Sequence, residues 1–580
     1  MSNILDLIHE EKWNEALSSF NEAVSSGNID DTLCICGATI FEHLGQFDAM
    51  HETICCGLEL NPKNYELYLM LGNYYAPINP DQAYLSYENA LFFAKKQGPS
   101  ASEDAETIKG ILDSFSLENQ IAVRKVSFII LSYNTLECTQ LCIQSIRNTC
   151  MEGSYEIVVI DNASTDGSVD WLKEQEDIVL FENKENVGFP AGCNQGIRLA
   201  NKDNDIFLLN SDTLMMINSL YLLRMGLYES PKHGATGAVT NYTGNMQISY
   251  NQGKNLEDYY TYAFKNNHPT PNPYEIKSML TMFAMLIRRD VFNIVGELDE
   301  RFTPGNFEDN DYGVRILEAG FYCILCWNCF IFHYGSKSFG DDVQTYNNIF
   351  EINRAKFHEK WGFESKYYMH SRSEILELID APLDAPINVL EVGCGLGDTL
   401  GSILHNFTNA QVHGIELVKK VAELGSTKFD IKCGNIETYE FSDDEKYDYI
   451  IFADVLEHLY DPYSVIRNMK KHLNDRGCII TSIPNIMNAR IILDLLNGNF
   501  TYEDAGILDR THLRFFTKNE IYRMFEAEGY SIDYIASKKS KFHSTEINPE
   551  FFAKLSALVG EDKKILFDTY QFLVRARVNS

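Results

Sequence analysis

The sequence predicts a multidomain protein in which a domain of α-helical repeats precedes two α/β domains. Small and apolar residues recur at offsets of 33 and 34 near the start, and strands alternate with helices in two separate blocks further on. A glycine-rich loop follows the first strand of the second block. At 580 residues the chain exceeds one core, and about 150 residues per domain allows three or four. The boundaries read as helical repeats over 1–97, a linker over 98–124, a first α/β domain over 125–350, a helical connector over 351–386 and a second α/β domain over 387–580.

Ala16, Phe20 and Ala23 recur as Ala49, Thr53 and Cys56, and again as Ala83, Tyr87 and Ala90. Such a period signals stacked helix pairs, since one pair cannot bury its apolar face alone. The third repeat, ELYLMLGNYYAPINPDQAYLSYENALFFA, resembles a tetratricopeptide repeat, with Leu71 and Gly72 in its Leu-Gly position. The resemblance implies close helix packing and a groove in which a partner or an acceptor protein docks. The stretch QGPSASEDAET has no apolar stripe and reads as linker leading into a short helix.

Composition narrows the function classes. Hydrophobic residues make up 45% and charged residues 23%, the balance of folded globular protein. A formal charge of −33 repels phosphate backbones and anionic lipid, which argues against nucleic acid as partner. The early acidic residues predict no signal peptide, and no stretch approaches the ~20 apolar residues of a spanning helix. A cytoplasmic location is expected. The 14 cysteines are scattered, which fits reduced thiols. Cys323, Cys326 and Cys329 have cluster-like spacing, but on a strand Cys323 and Cys329 face one side and Cys326 the other, so buried thiols are expected and no metal site.

In the first α/β block, the apolar runs KVSFIILSYN, YEIVVIDNAS, IVLFEN and DIFLLNSD read as strands of a mainly parallel sheet covered on both faces. Ligands bind outside the carboxyl ends of such strands. The polar residues there are Ser132, Tyr133 and Asn134; Asp161 and Asn162; and Asn210, Ser211 and Asp212, with Asn186 nearby. GNFEDNDYGVRILEAGF adds Glu308, Asp309 and Asp311 where a helix begins, either complementing its dipole or serving chemistry.

Taken in order, FIILSYNTLECTQLCIQSI, VVIDNASTDGS, NVGFPAGCNQGI and LLNSDT resemble the inverting family-two glycosyltransferases of GT-A fold over about residues 125–345. The resemblance implies that Asp161 reads the nucleotide base and that Tyr133, Asn134, Asn162, Asn186, Asn194 and Asn210 line the donor site. It makes Asp309 the base, with Glu308 and Asp311 in support and Arg315 orienting a carboxylate. CFIFHYGSKSF matches the family's strand ending in histidine, so Asp212 and His333 together hold Mn²⁺ or Mg²⁺. Where the family has an acidic pair, the first position here is Asn210; the donor diphosphate would supply the missing oxygens.

In the second block, VLEVGCGLGDTL sets Gly393, Gly395 and Gly397 between a strand and a helix. Glycines there clear room for a ligand at the backbone. A dinucleotide fingerprint would need glycine at position 398, which is Asp398. Together with Glu416 at the end of the next strand, the set resembles class I S-adenosylmethionine-dependent methyltransferases from about residue 387 onward. That implies Glu391, Gly393, Gly395 and Gly397 in the first cofactor motif, Glu416 on the ribose, Asn435 near the adenine and Asp454 in the FADVLEHLYDP segment. His458, and His512 of LDRTHLRFFT, are candidate bases or structural histidines. The expected whole is a bifunctional enzyme of surface-glycan or protein glycosylation. It glycosylates a glycan or protein acceptor, docked by the repeats, and methylates an acceptor, a sugar hydroxyl being the natural one. The alternatives are a scaffold with inactive catalytic domains, supported by Asn210, and action on a lipid-linked polysaccharide precursor.

Overall fold

The computed structural model describes residues 2–244, 247–249, 253–335, 343–539, 549–560 and 563–579. Ser336 to Phe339 of the CFIFHYGSKSF stretch lie outside them. The chain parts into two compact units, Met1–Gly362 and Phe363–Ser580. The division falls inside the segment read as a connector.

The first unit begins with a succession of helices from Ser2–His9 to Pro80–Lys96. Small residues set how closely they pack. A Cβ on Gly72 would lie 2.2 Å from the Tyr87 ring, and one on Gly57 would lie 2.6 Å from Leu67. Tyr87 cannot swing away freely, because its hydroxyl donates to Asn73 at 2.9 Å. A Gly72→Ala protein is therefore expected to lose about 1–3 kcal/mol of stability, measurable as a lower urea midpoint.

The expected linker proves to be largely helix, Ser102–Glu118. Its acidic first turn hides a stripe of Ala105, Ile108 and Leu112, all buried in the core shared by the preceding helices and the first sheet. Polar ties run across the same boundary. Gln82 donates to the Met225 carbonyl at 3.2 Å, Asn218 donates to the Tyr68 hydroxyl at 2.9 Å, and buried Arg224 pairs with Glu88.

The strands of this unit are β1 Val126–Ser132, β2 Tyr155–Asp161, β3 Ile178–Glu182, β4 Asp205–Asn210, β5 Thr213–Leu214, β6 His233–Val239, β7 Tyr274–Lys277, β8 Ala284–Ile287, β9 Tyr322–Phe330 and β10 Phe332–His333. Among the described residues the main sheet runs β3-β2-β1-β4-β8-β6-β9-β7, and β5 pairs with β10. The sheet is mixed, since β8 and β7 run against their neighbours. Continuous apolar runs follow from burial on both faces. Phe128, Ile130, Val159 and Leu209 join one core, whereas Ile129, Val158, Ile160 and Leu208 join the other.

The three strand cysteines depart from simple alternation. Cys326 and Cys329 share one core and Cys323 lies in the other, because the β6–β9 register shifts between Cys326 and Phe330. Burial pushes the Cys326 and Cys329 thiols up, so they stay protonated and inert.

The second unit holds β11 Asn388–Val392, β12 Gln411–Glu416, β13 Asp430–Cys433, β14 Tyr447–Ala453, β15 Leu473–Pro484, β16 Tyr530–Lys539 and β17 Thr569–Val578, ordered β13-β12-β11-β14-β15-β17-β16. The final strand, β17, enters the sheet antiparallel between β15 and β16. The helix Pro549–Val559 precedes it. Among the described residues no helix is long and apolar enough to cross a membrane.

Candidate functional sites

Parallel register brings the polar strand ends together: Ser132 stands beside Asp161, and Leu131 beside Asn210. Asp161 is buried, with one oxygen accepting the Ser164 N–H at 2.8 Å and Oδ2 meeting no hydrogen-bond partner among the described residues. Asn134, at φ 53°, accepts the Thr165 N–H at 2.8 Å and so staples the loops after β1 and β2 together. Tyr133 is half-buried on that loop. Asn162 and Asn186 hold each other at 3.2 Å in an amide chain that includes Asn183.

Asn194 sits differently from the expected donor-lining position. It is buried, and its amide donates to the Leu298 carbonyl and Glu300 while accepting the Leu298 N–H, which makes it a clip for that loop.

Asp212 is 4% exposed and lies 3.2 Å from His333 Nε2. The β5–β10 ladder brings them there by pairing Thr213 with His333. His333 Nδ1 is 2.8 Å from the Tyr242 carbonyl, and Phe283 stacks on the ring. With Nδ1–H given to that carbonyl, Nε2 faces the carboxylate either as a second N–H or as a lone pair that a cation would reconcile with it. Half-buried Asn210 ends the adjacent strand.

The acidic helix Glu308–Glu318 starts after Asn306 and Phe307, both at φ 73°. Such strain is held only where surroundings over-determine it. Part of those surroundings is the helix Val343–Trp361: Asn353 donates to the Phe302 and Gly305 carbonyls at 2.7 and 2.8 Å, and Tyr346 donates to Asn306 at 3.2 Å. The Asn186 loop closes the other side, where a Cβ on Gly188 would lie 2.7 Å from Thr303.

Burial pushes the Asp309 carboxyl up to about 6. Glu308 is pushed well above its usual value, by burial first and by Asp309 second, and its Oε2 has no partner among the described residues. Asp311 is not part of that pair: fully buried, it takes the Trp361 indole N–H at 2.8 Å and pairs with Lys360. Arg315 spends its guanidinium on the Val295 and Glu297 carbonyls and stands 3.6 Å from Asp311, so it anchors backbone more than it orients a carboxylate.

In the second unit the glycine loop has φ values of 70°, 57° and 85° at Gly393, Gly395 and Gly397. The room they clear is taken by protein. A Cβ would lie 2.8 Å from Val455 at Gly393, 2.8 Å from the Tyr368 carbonyl oxygen at Gly395, and 2.7 Å from Phe429 at Gly397. Left-handed backbone and tight packing require these glycines, which shape the loop rather than bare it. Glu416 accepts the Gly395 N–H at 3.0 Å and the Val418 N–H at 2.8 Å, one on each oxygen, leaving further lone pairs. Glu391 is buried with Oε2 unpartnered among the described residues, and burial pushes its carboxyl up to about 8. Asn435 is exposed and accepts the Glu437 N–H at 3.0 Å across a turn.

Asp454, at φ 56°, accepts from Arg372 at 2.6 Å and from the Ser482 hydroxyl at 2.7 Å. Just beyond it, Glu457, His458 and His512 form one cluster. Sequence reasoning misses Tyr368 and Arg372. The Tyr368 carbonyl accepts the Leu396 N–H at 2.8 Å, and the segment straps the glycine loop. Their one sequence signal is a tyrosine and an arginine standing shortly before a glycine-loop strand.

Residues 127–295 match the family described as Glycosyl transferase family 2, and residues 361–535 match the family described as Methyltransferase domain. One chain thus carries a glycosyltransferase domain and a methyltransferase domain. It is 27% identical over 200 residues to the ubiquinone biosynthesis O-methyltransferase of Chromobacterium violaceum, covering 32% of this chain and 85% of that protein. It is 35% identical over 106 residues to the poly(ribitol-phosphate) beta-glucosyltransferase of Bacillus spizizenii, covering 17% of this chain and only 16% of that protein's length. The mannosyltransferase PcManGT of Pyrobaculum calidifontis, solved with GDP-Man and Mn²⁺, is 17% identical with a TM-score of 0.30, over 48% of this chain and 76% of that one. That last likeness is too slight to bear on the sites.

Proposed function

We propose, from a chain that joins a family 2 glycosyltransferase domain to a methyltransferase domain, that the first unit transfers a sugar from a nucleotide-sugar to a glycan or glycoprotein acceptor with inversion. The second unit then methylates a hydroxyl of an acceptor from S-adenosylmethionine. The observation that carries the first half is the meeting of Asp212 and His333 at 3.2 Å on the strand-end edge that also bears Asp161. A divalent cation held there would offset charge on the leaving diphosphate. Asp161 Oδ2, buried and unpartnered among the described residues, is an acceptor that a nucleobase N–H would satisfy. Asp309 takes the proton of the attacking hydroxyl, and neutral Glu308 beside it keeps the two carboxyls from sharing negative charge.

For methylation, the cofactor supplies an electrophilic methyl group on its sulfonium. Glu416 has lone pairs left for ribose hydroxyls, and the strap through Tyr368 and Arg372 fixes the loop and Asp454. The helices before β1 act as tetratricopeptide-like repeats that dock the acceptor. In support, a cavity of about 570 Å³ opens between them and the β5 region, lined by Lys63, Phe92, Lys96, Ile217 and Tyr260. Two sites on one chain raise the effective concentration of the second for the first product.

An Asp212→Ala protein should lose Mn²⁺-dependent nucleotide-sugar binding by calorimetry while keeping S-adenosylmethionine binding. Retained Mn²⁺-dependent donor binding would reduce the β4 end to a turn.

A further inference from the structure

We propose that Glu457, His458 and His512 form a second divalent-cation site, in the methyltransferase unit, with ligand positions left open toward the acceptor. The three offer one donor atom each, all within 4.8 Å of one another. Glu457 is 1% exposed, and both of its carboxylate oxygens are buried with no hydrogen-bond partner among the described residues. A buried carboxylate without donors is costly unless something positive completes it.

In each histidine Nδ1 faces a backbone carbonyl, and His512 Nε2 stands 4.0 Å from Glu457 Oε1. His512 Nδ1 lies 3.0 Å from the Ile507 carbonyl, and His458 Nδ1 lies 3.2 Å from the Thr511 carbonyl. An imidazole that gives Nδ1–H to a carbonyl presents Nε2 as a ligand, which is the usual arrangement behind metal-binding histidines. Thr511 is itself fixed by Asp509, which accepts its hydroxyl at 2.6 Å and its N–H at 2.9 Å. Asp509 in turn accepts from Tyr367 at 3.1 Å.

A shared proton does not account for the cluster. His512 Nε2 and Glu457 Oε1 are 4.0 Å apart, whereas a charge-assisted hydrogen bond would bring them to about 2.8 Å. Two ligands each about 2.1 Å from one ion can stand anywhere up to about 4.2 Å apart, so small side-chain rotations close the set around a cation. The two imidazole rings stand edge to face with 4.7 Å between centroids, near enough to share one ion. Two imidazoles with one carboxylate suit Mn²⁺, Fe²⁺, Co²⁺ or Zn²⁺ better than Ca²⁺.

Asp454 is outside the ligand set, since Arg372 and Ser482 occupy it. His458 is the half-exposed member, so the open positions lie on its side. This role for the site rests on the methyl-transfer reading above. An acceptor hydroxyl bound to the cation would lose its proton to water more readily. Its oxygen then bonds to the methyl carbon as the S–C bond breaks and the sulfur keeps the electron pair. His458 and His512 are then ligands, and neither is the base.

The test is titration of the full chain with Co²⁺ alone, in an Asp212→Ala background that removes the proposed donor-site ligand. The expected result is one equivalent of Co²⁺ with the visible absorption of nitrogen ligation. His458→Gln and His512→Gln should lose that band while still binding S-adenosylmethionine. No band in the Asp212→Ala protein would overturn the proposal, as would a band unchanged by His458→Gln. Should a histidine variant fail to bind S-adenosylmethionine, Mn²⁺ spin-echo spectra of the Asp212→Ala protein decide: coupling to two imidazole nitrogens supports the site, and its absence overturns it. A Co²⁺ site on a protein that methylates no hydroxyl would fail the functional reading and leave the site standing.

Discussion

An Asp309→Asn protein is expected to transfer sugar about 10²–10⁴-fold more slowly than the parent while binding nucleotide-sugar and S-adenosylmethionine as before. The isosteric amide keeps the Asn310 N–H contact at 2.8 Å that the carboxylate accepts, so the loss isolates proton removal from folding. The direction of pH dependence follows from the same pair. Burial pushes Asp309 up to about 6, and the Asp309 charge is itself a cause that pushes Glu308 well above its usual value, so Asp309 is the member that carries the charge first as pH rises. A base works only unprotonated, so wild-type kcat should climb as pH rises through about 6 and flatten above it. Rate against pH under saturating donor checks this. Full activity in Asp309→Asn would remove it as the base.

A Gly395→Ala protein is expected to bind S-adenosylmethionine about 100-fold more weakly. The added Cβ would meet the Tyr368 carbonyl oxygen at 2.8 Å and its Cα at 3.0 Å, both backbone atoms that cannot rotate aside. The residue would also be held at φ 57°, which costs an L-residue about 1–2 kcal/mol. Strain and clash together reach roughly 3 kcal/mol, and about 1.4 kcal/mol is tenfold in affinity. The loop would move and carry with it the Gly395 N–H that Glu416 accepts. Calorimetry with S-adenosylmethionine measures the change, and unaltered affinity would mean that this loop does not shape the cofactor site.

The strand ends are legible in the sequence because a long apolar run that stops on Ser, Asn and Asp is what a buried strand reaching a sheet edge requires. Asp212 and His333 are legible too, although Asp212 sits in the turn just before β5 and His333 ends β10, and they meet only because those two strands pair. Elements whose signal is diluted escape such reading. In Ser102–Glu118 the stripe of Ala105, Ile108 and Leu112 is interrupted by Glu103, Asp104 and Glu106, so the segment reads as linker. Asn353, Lys360 and Trp361 clamp the acidic helix from beyond the expected domain boundary. Nothing in their local sequence names a partner so distant along the chain. Cys326 and Cys329 share a face only through a register shift that period-two reasoning does not contain. Glu457 stands inside a recognisable motif, but its lack of a donor among the described residues emerges only from three dimensions.

The claim that one chain performs two transfers is tested most directly by calorimetry of the full-length protein, first with S-adenosylmethionine and then with nucleotide-sugar plus Mn²⁺. Two independent saturable binding events are predicted, with Gly395→Ala weakening only the first and Asp212→Ala removing only the second. Heat from neither ligand would contradict the claim and leave a scaffold in its place.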